Sequence, residues 1–261
     1  MNRLTTTFAA LKTENRAGFV AYIMAGDGET ADLLDQMPAA GADVIELGMP
    51  FTDPMADGPA IQAAALRSLE NGMTLNGTLA LAKQFRAKHP DTPLVLMGYA
   101  NPIHHMGFKA FALAASDAGV DGLICVDLPP EEDTELREAL AAENISIIRL
   151  ATPTTNEDRL KAVTESSSGF VYYVSTTGVT GMGRGAATDV AEAVKRVQSA
   201  SGLPVAVGFG VKTPEQAAEI ASGGADAVVV GSAIVSANHD GGTENALETV
   251  RTLSAAVRAA P

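Results

Sequence analysis

Apolar residues along the chain fall into eight short runs: "GFVAYIMAG" (18–26), "ADVIELG" (42–48), "PLVLMGYA" (93–100), "DGLICVDLP" (121–129), "ISIIRLA" (145–151), "GFVYYVS" (169–175), "LPVAVGFG" (203–210) and "ADAVVVGSA" (225–233). Most are continuous rather than alternating, as expected of strands buried on both faces. The stretches between them, such as "PEEDTELREALAAEN" (130–144) and "TPEQAAEIASGG" (213–224), open on Thr, Pro or acidic residues and close near Gly or Asn. Those are helix start and stop signals. "AAGADVIELG" (39–48), "SDAGVDGLICVD" (116–127) and "ASGGADAVVVG" (221–231) repeat one device: a helix ends at Gly, a small acidic turn follows, and an apolar strand begins. Strict alternation without a linker predicts an α/β fold, one (β/α)8 TIM barrel spanning 1–261. A doubly wound open sheet is the runner-up, weakened because no G-x-G-x-x-G turn follows the first strand. "TTTFAALKTEN" (5–15) reads as an extra N-terminal helix closing the barrel bottom.

In such a barrel chemistry sits where strands end. Those ends carry Glu46, Asp127, Ser175, the glycines around Phe209, and Gly231 with Ser232. The stretch "IELGMPFTDPMADGPAIQ" (45–62) places Glu46 at the end of the second strand, with Asp53 and Asp57 in the loop that follows. A lone rim carboxylate would be expected to pair with an Arg or a backbone N–H. A second acid in an apolar loop shifts the reading towards general acid–base work, because a carboxyl in an apolar pocket holds its proton nearer neutral pH. Asp53 reads as a loop-orienting or partner-facing group.

Charge changes the picture at the other end of the site. Lys+Arg 18 against Asp+Glu 31 gives a net charge of −13, which argues against nucleic acid or an anionic membrane as partner. An anionic ligand must then be held by oriented amides rather than by the overall field. Glycine clusters "TTGVTGMGRGA" (176–186), "VGFGV" (207–211) and "VVGSAIV" (229–235) supply them, the last two after the seventh and eighth strands. Barrels commonly hold phosphate there, on backbone N–H groups and a short helix N-terminus. Among the lysines only Lys212 lies near a strand end, and "VKTPEQ" reads as a solvated helix start, so an imine mechanism is disfavoured. His104 and His105 read as a solvated loop without the spacing of a zinc site, and no metal is expected. The single Cys125 sits in an apolar strand, and one cysteine fits a reducing, cytoplasmic setting. No signal peptide or apolar run long enough to span a membrane is read.

The motifs "GADVIELGMPFTDPMADGPAIQ", "YANPI" (99–103), "DLPPEE" (127–132), "GVTG", "GFGV" and "GSAIV" follow in order over nearly the whole chain. Together they resemble the alpha subunit of tryptophan synthase. The resemblance implies a lyase that cleaves indole-3-glycerol phosphate by a retro-aldol reaction to indole and glyceraldehyde 3-phosphate. It implies an αββα complex in which indole passes to a beta subunit; pyridoxal phosphate is expected only in that partner, with no cofactor in this chain. It makes Glu46 and Asp57 catalytic. Gly181, Gly210, Gly231 and Ser232 become phosphate-binding positions, and Thr180 a substrate-binding one. Phe19, Ile61, Met97, Tyr172 and Phe209 become indole-pocket positions, and Asp53, Pro54 and Asn101 face the partner. Two departures stand out: Gly28, where a Pro is usual after Gly-Asp, and Thr176, where some members carry Arg. The loop 51–60 is expected to be mobile until substrate or partner orders it. Two other readings remain: a weakly active subunit that activates a beta-type partner, and another phosphate-sugar barrel enzyme.

Overall fold

The apolar runs all become parallel strands. The computed structural model describes the backbone of residues 2–175, 184–208 and 210–260, and the side chains of all of these except 184–189. In chain order the elements are α1 (Arg3–Thr13), β1 (Gly18–Met24), α2 (Thr30–Ala40), β2 (Val44–Gly48), α3 (Pro59–Glu70), α4 (Leu75–Lys88), β3 (Leu94–Gly98), α5 (Ala100–Met106), α6 (Phe108–Asp117) and β4 (Gly122–Cys125). There follow α7 (Thr134–Ala142), β5 (Ser146–Ile147), β6 (Arg149–Ala151), α8 (Glu157–Glu165), β7 (Val171–Val174), α9 (Arg184–Ser201), β8 (Val205–Gly208), α10 (Pro214–Ser222), β9 (Ala227–Val230) and α11 (Ser232–Ala259). Gly242, at φ +70°, breaks α11 into two helices.

The sheet order is β5-β4-β3-β2-β1-β9-β8-β7-β6, parallel throughout. The run 145–151, read as one strand, is interrupted at Ile148: β5 pairs with β4, and β6 pairs with β7. The Ile148 amide still donates to Leu123 O at 2.9 Å, so the interrupted strand joins the two edges and the sheet forms a TIM barrel.

The repeated Gly–Asp device has a physical cause. Asp43, Asp121 and Asp226 each stand just before a strand and accept an amide from the first or second residue of the neighbouring strand: Phe19 N at 2.9 Å, Leu94 N at 2.9 Å and Val205 N at 2.8 Å. These amides lie at the barrel bottom, where no ladder partner remains, and an unpaired buried N–H would cost roughly 1–3 kcal/mol. Arg16 holds Asp43, Arg3 and Arg86 hold Asp121, and Gln198 holds Asp226.

Helix α1 begins at Arg3, slightly before the expected 5–15, with Asn2 as its side-chain cap. Its buried Leu4, Phe8 and Leu11 pack with Val20, Val44, Val95 and other inward residues of the barrel. Phe8 meets Phe170 with ring centroids 5.5 Å apart. The barrel bottom is therefore closed by α1, and any opening must lie at the opposite end. On β1 the parity is explicit. Val20, Tyr22 and Met24 face inward, whereas Phe19, Ala21 and Ile23 pack outward with Leu33, Leu34 and Met37 of α2.

Candidate active site

Glu46 lies on β2, with the inward parity of Val44, and is 1% exposed. Neither carboxylate oxygen has a hydrogen-bond partner among the described residues. The pairing expected of a structural rim acid is thus missing. Arg149, buried on β6, is paired with Asp133 instead. Burial alone pushes the Glu46 carboxyl up to about 8. A carboxylate in so apolar a place takes up a proton rather than bear the cost of desolvation.

Asp57 comes from the loop between β2 and α3. Short turns shape that loop, with Met55 N donating to Asp53 O and Asp57 N to Pro54 O. Pro59, at the first turn of α3, ends it. Tyr99, which follows β3, fastens the loop to the barrel. Its hydroxyl accepts the Ala56 amide at 3.0 Å and hydrogen-bonds the Asp57 carboxylate, while its ring stacks on Phe51 with centroids 5.3 Å apart. Burial raises Asp57 to about 6, against the opposing effect of the Tyr99 hydrogen bond. Two acids with different environments therefore face one mouth, one neutral and one ionised near pH 7.

Tyr22 and Tyr172 complete the inner wall. Tyr22 is the register partner of Glu46, and Tyr172 that of Ala206. Each phenol leans over a glycine two residues further along the next strand, Gly48 and Gly208 respectively. A Cβ on either glycine would collide with the tyrosine hydroxyl. Glycine at these two places is what admits a large polar side chain into the mouth. Burial and the nearby carboxylates raise both phenols well above their ordinary range.

Of the remaining pocket positions, Met97 and Ile61 are half-buried and pack with Tyr22, Met24 and Val235 around the mouth. Phe19 does not join them: it is fully buried on the outer face of β1 against α2, so its expected place in the pocket is corrected, and Tyr22 occupies the inward position. Gly231 caps α11 without a side-chain bond, and Ser232 opens the helix, leaving first-turn amides without intrahelical acceptors. Gly210 follows β8 in a left-handed conformation, φ +76°. Thr180, Gly181, Phe209 and the departure at Thr176 lie outside the described residues.

The loop after β1 joins the two ends of the site. Asp27 is gripped by Arg67 of α3 at 2.7 and 2.8 Å, and its carbonyl accepts from Asn238 of α11 at 3.0 Å. Ser68 of α3 and Asn71, just past its end, donate to Ala25 O and Gly26 O. Gly28 sits at φ +70°, a value closed to proline, so this loop has a conformation the usual Pro could not share.

On the outer rim Asp53 and Asn101 are exposed and Pro54 is half-buried. Asp127 accepts the Ala100 amide at 2.8 Å and so caps α5. His104 and His105 lie on α5 rather than in a loop, both exposed. Among the described residues no cluster of three or more metal-ligating side chains occurs, and no helix is long and apolar enough to cross a membrane.

A family model described as tryptophan synthase alpha chain matches residues 8–260. The tryptophan synthase alpha chain of Caulobacter sp. (strain K31) is 61% identical over 237 residues, which cover 90% of this chain and 86% of that protein. The crystal structure of tryptophan synthase subunit alpha from Legionella pneumophila str. Paris superposes with a TM-score of 0.91 at 36% identity, covering 98% of each chain. A chain from tryptophan synthase of M. tuberculosis in an open form has a TM-score of 0.89 at 34% identity, covering 99% of each.

Proposed function

The chain belongs to the tryptophan synthase alpha chain family, and from that premise we propose that it is the lyase that cleaves indole-3-glycerol phosphate to indole and glyceraldehyde 3-phosphate in tryptophan biosynthesis. The observation that carries the chemistry is the pair of acids. Glu46 is buried, unpartnered among the described residues and neutral at pH 7; Asp57 is tethered to Tyr99 and ionised.

Neutral Glu46 has a proton to give to C3 of the indole ring. Protonation at C3 turns the ring into an electron acceptor, and the ionised Asp57 takes the hydrogen bond of the ring N–H and offsets the developing positive charge. The hydroxyl on the adjoining chain carbon then loses its proton. Its O–H electron pair forms the aldehyde, and the C–C pair returns to the ring as indole leaves. Glu46, a carboxylate after the first step, is the base available for that proton and is thereby reset. The phosphate is assigned to backbone amides around Gly181, Gly210, Gly231 and Ser232. Amide dipoles at a helix start suit an anion in a chain of net charge −13.

The partner is a beta subunit that receives the indole, in an αββα assembly, with pyridoxal phosphate held by that subunit. The exposed Asp53 and Asn101, with Pro54, form the face assigned to it. Indole formation from indole-3-glycerol phosphate, with and without a beta subunit, tests the proposal. Turnover that rises on adding the beta subunit is expected; no indole under either condition overturns it.

A further inference from the structure

Tyr22 occupies a place in the mouth that the two-acid mechanism leaves without a task. Its Cβ and ring edge lie against Gly231, where an added Cβ would be 3.3 Å away. Its hydroxyl reaches over Gly48, directly mouthward of Glu46 on the same strand. The side chain therefore spans the interval between the start of α11, where the phosphate is assigned, and the acid assigned to the ring. The ring is wedged by Ala64, Ala65 and Val235, and the residue is only 5% exposed. Yet no described residue hydrogen-bonds its hydroxyl, in contrast to Tyr99, which has two partners. A buried phenol that reaches over the mouth with no hydroxyl partner among the described residues is a specificity element waiting for a ligand atom.

The polar groups of the substrate can be matched in turn. The phosphate is assigned to amides, the ring N–H to Asp57 and C3 to Glu46. The two hydroxyls of the three-carbon chain remain, and that chain runs through the interval Tyr22 spans. Resting on the function proposed above, we propose that the Tyr22 hydroxyl hydrogen-bonds a hydroxyl of this chain, so that Tyr22 touches the substrate and selects a hydroxylated linker over a plain alkyl one.

The test is Tyr22→Phe, which removes one oxygen and keeps the ring. Two ligands are compared: indole-3-glycerol phosphate as substrate, and the analogue in which both chain hydroxyls are replaced by hydrogen, as competitive inhibitor. In a folded variant, kcat/KM should fall about tenfold, the usual worth of one hydrogen bond in a closed site, while the inhibition constant of the analogue changes by less than about twofold. An unchanged kcat/KM overturns the proposal. So does a parallel loss for substrate and analogue, which would mean that ring packing, not the hydroxyl, was disturbed. If the unaltered protein forms no indole, the assigned reaction itself fails and the proposal falls with it; if it turns over and Tyr22→Phe matches it, only the role of Tyr22 is lost.

Discussion

The Tyr99 hydroxyl holds both the Ala56 amide and the Asp57 carboxylate, and so fixes an acid carried by a loop to the end of a barrel strand. Asp57 is thereby placed without belonging to a strand itself. The tether also acts on its charge: burial raises the carboxyl to about 6, and the Tyr99 hydrogen bond is what keeps it from going higher.

Tyr99→Phe should therefore shift Asp57 upward. If the reaction needs Asp57 ionised and Glu46 protonated, kcat/KM for the unaltered protein should follow a bell between about 6 and about 8. In Tyr99→Phe the acid limb should move to higher pH while the alkaline limb, set by Glu46, stays in place. The pH–rate profile checks this; an acid limb that does not move would detach Tyr99 from the ionisation of Asp57.

Glu46 should cost stability, and increasingly so as pH rises. Its folded-state value, about 8, lies above its ordinary 4.5, so the folded protein binds the extra proton. Between those values raising the pH favours unfolding, and the full penalty is reached above about 8. By linkage this is on the order of 3 kcal/mol at pH 7. Glu46→Gln removes the titration, so its melting temperature should exceed that of the unaltered protein by more at pH 8 than at pH 5. Thermal melts at the two pH values decide it; an equal difference at both would contradict the unpaired, buried carboxyl.

At the phosphate end, Gly210→Val should raise KM strongly. The left-handed φ of +76° makes any side chain there strained, by roughly 1–2 kcal/mol, and a branched one obstructs close approach of an anion to the backbone. The two effects separate experimentally. Inorganic phosphate should raise the melting temperature of the unaltered protein but not that of the folded variant. Equal protection of both would move the phosphate site elsewhere.

Asp53 is exposed, and among the described residues its carboxylate is bonded only locally, by the Thr52 hydroxyl at 2.5 Å. Asp53→Ala should leave the basal rate of the free chain nearly intact and weaken activation by the beta subunit. A charge pair lost from an interface costs about 2–5 kcal/mol when buried there. Indole formation with and without saturating beta subunit reads this out; an equal loss in both would place Asp53 in the chemistry.

Much of the frame is legible in the residues because it is repetitive. Continuous apolar runs mark strands buried on both faces, and the recurring Gly–Asp turn reports a shared need to satisfy strand-starting amides. Glu46 and Asp57 stand out because charge is expensive in apolar surroundings. The same continuity hides other features. When both faces of a strand are apolar, no alternation tells which residues point inward. Phe19 and Tyr22 are equally plausible pocket residues until the register against β2 is known, and only Tyr22 has the inward parity. Tyr99 is invisible for a different reason: it meets Asp57 across 42 residues, through a loop whose path no local pattern dictates. The break at Ile148 leaves no mark at all in "ISIIRLA".

In the proposed retro-aldol cleavage a neutral, buried Glu46 delivers and recovers the proton. Steady-state indole formation from indole-3-glycerol phosphate by Glu46→Gln, set beside substrate binding by the same variant, tests it most directly. The amide preserves size and neutrality but cannot cycle a proton. In this variant kcat should fall by at least about 10²-fold while the substrate still binds. A Glu46→Gln variant that turns over at close to the unaltered rate would contradict it.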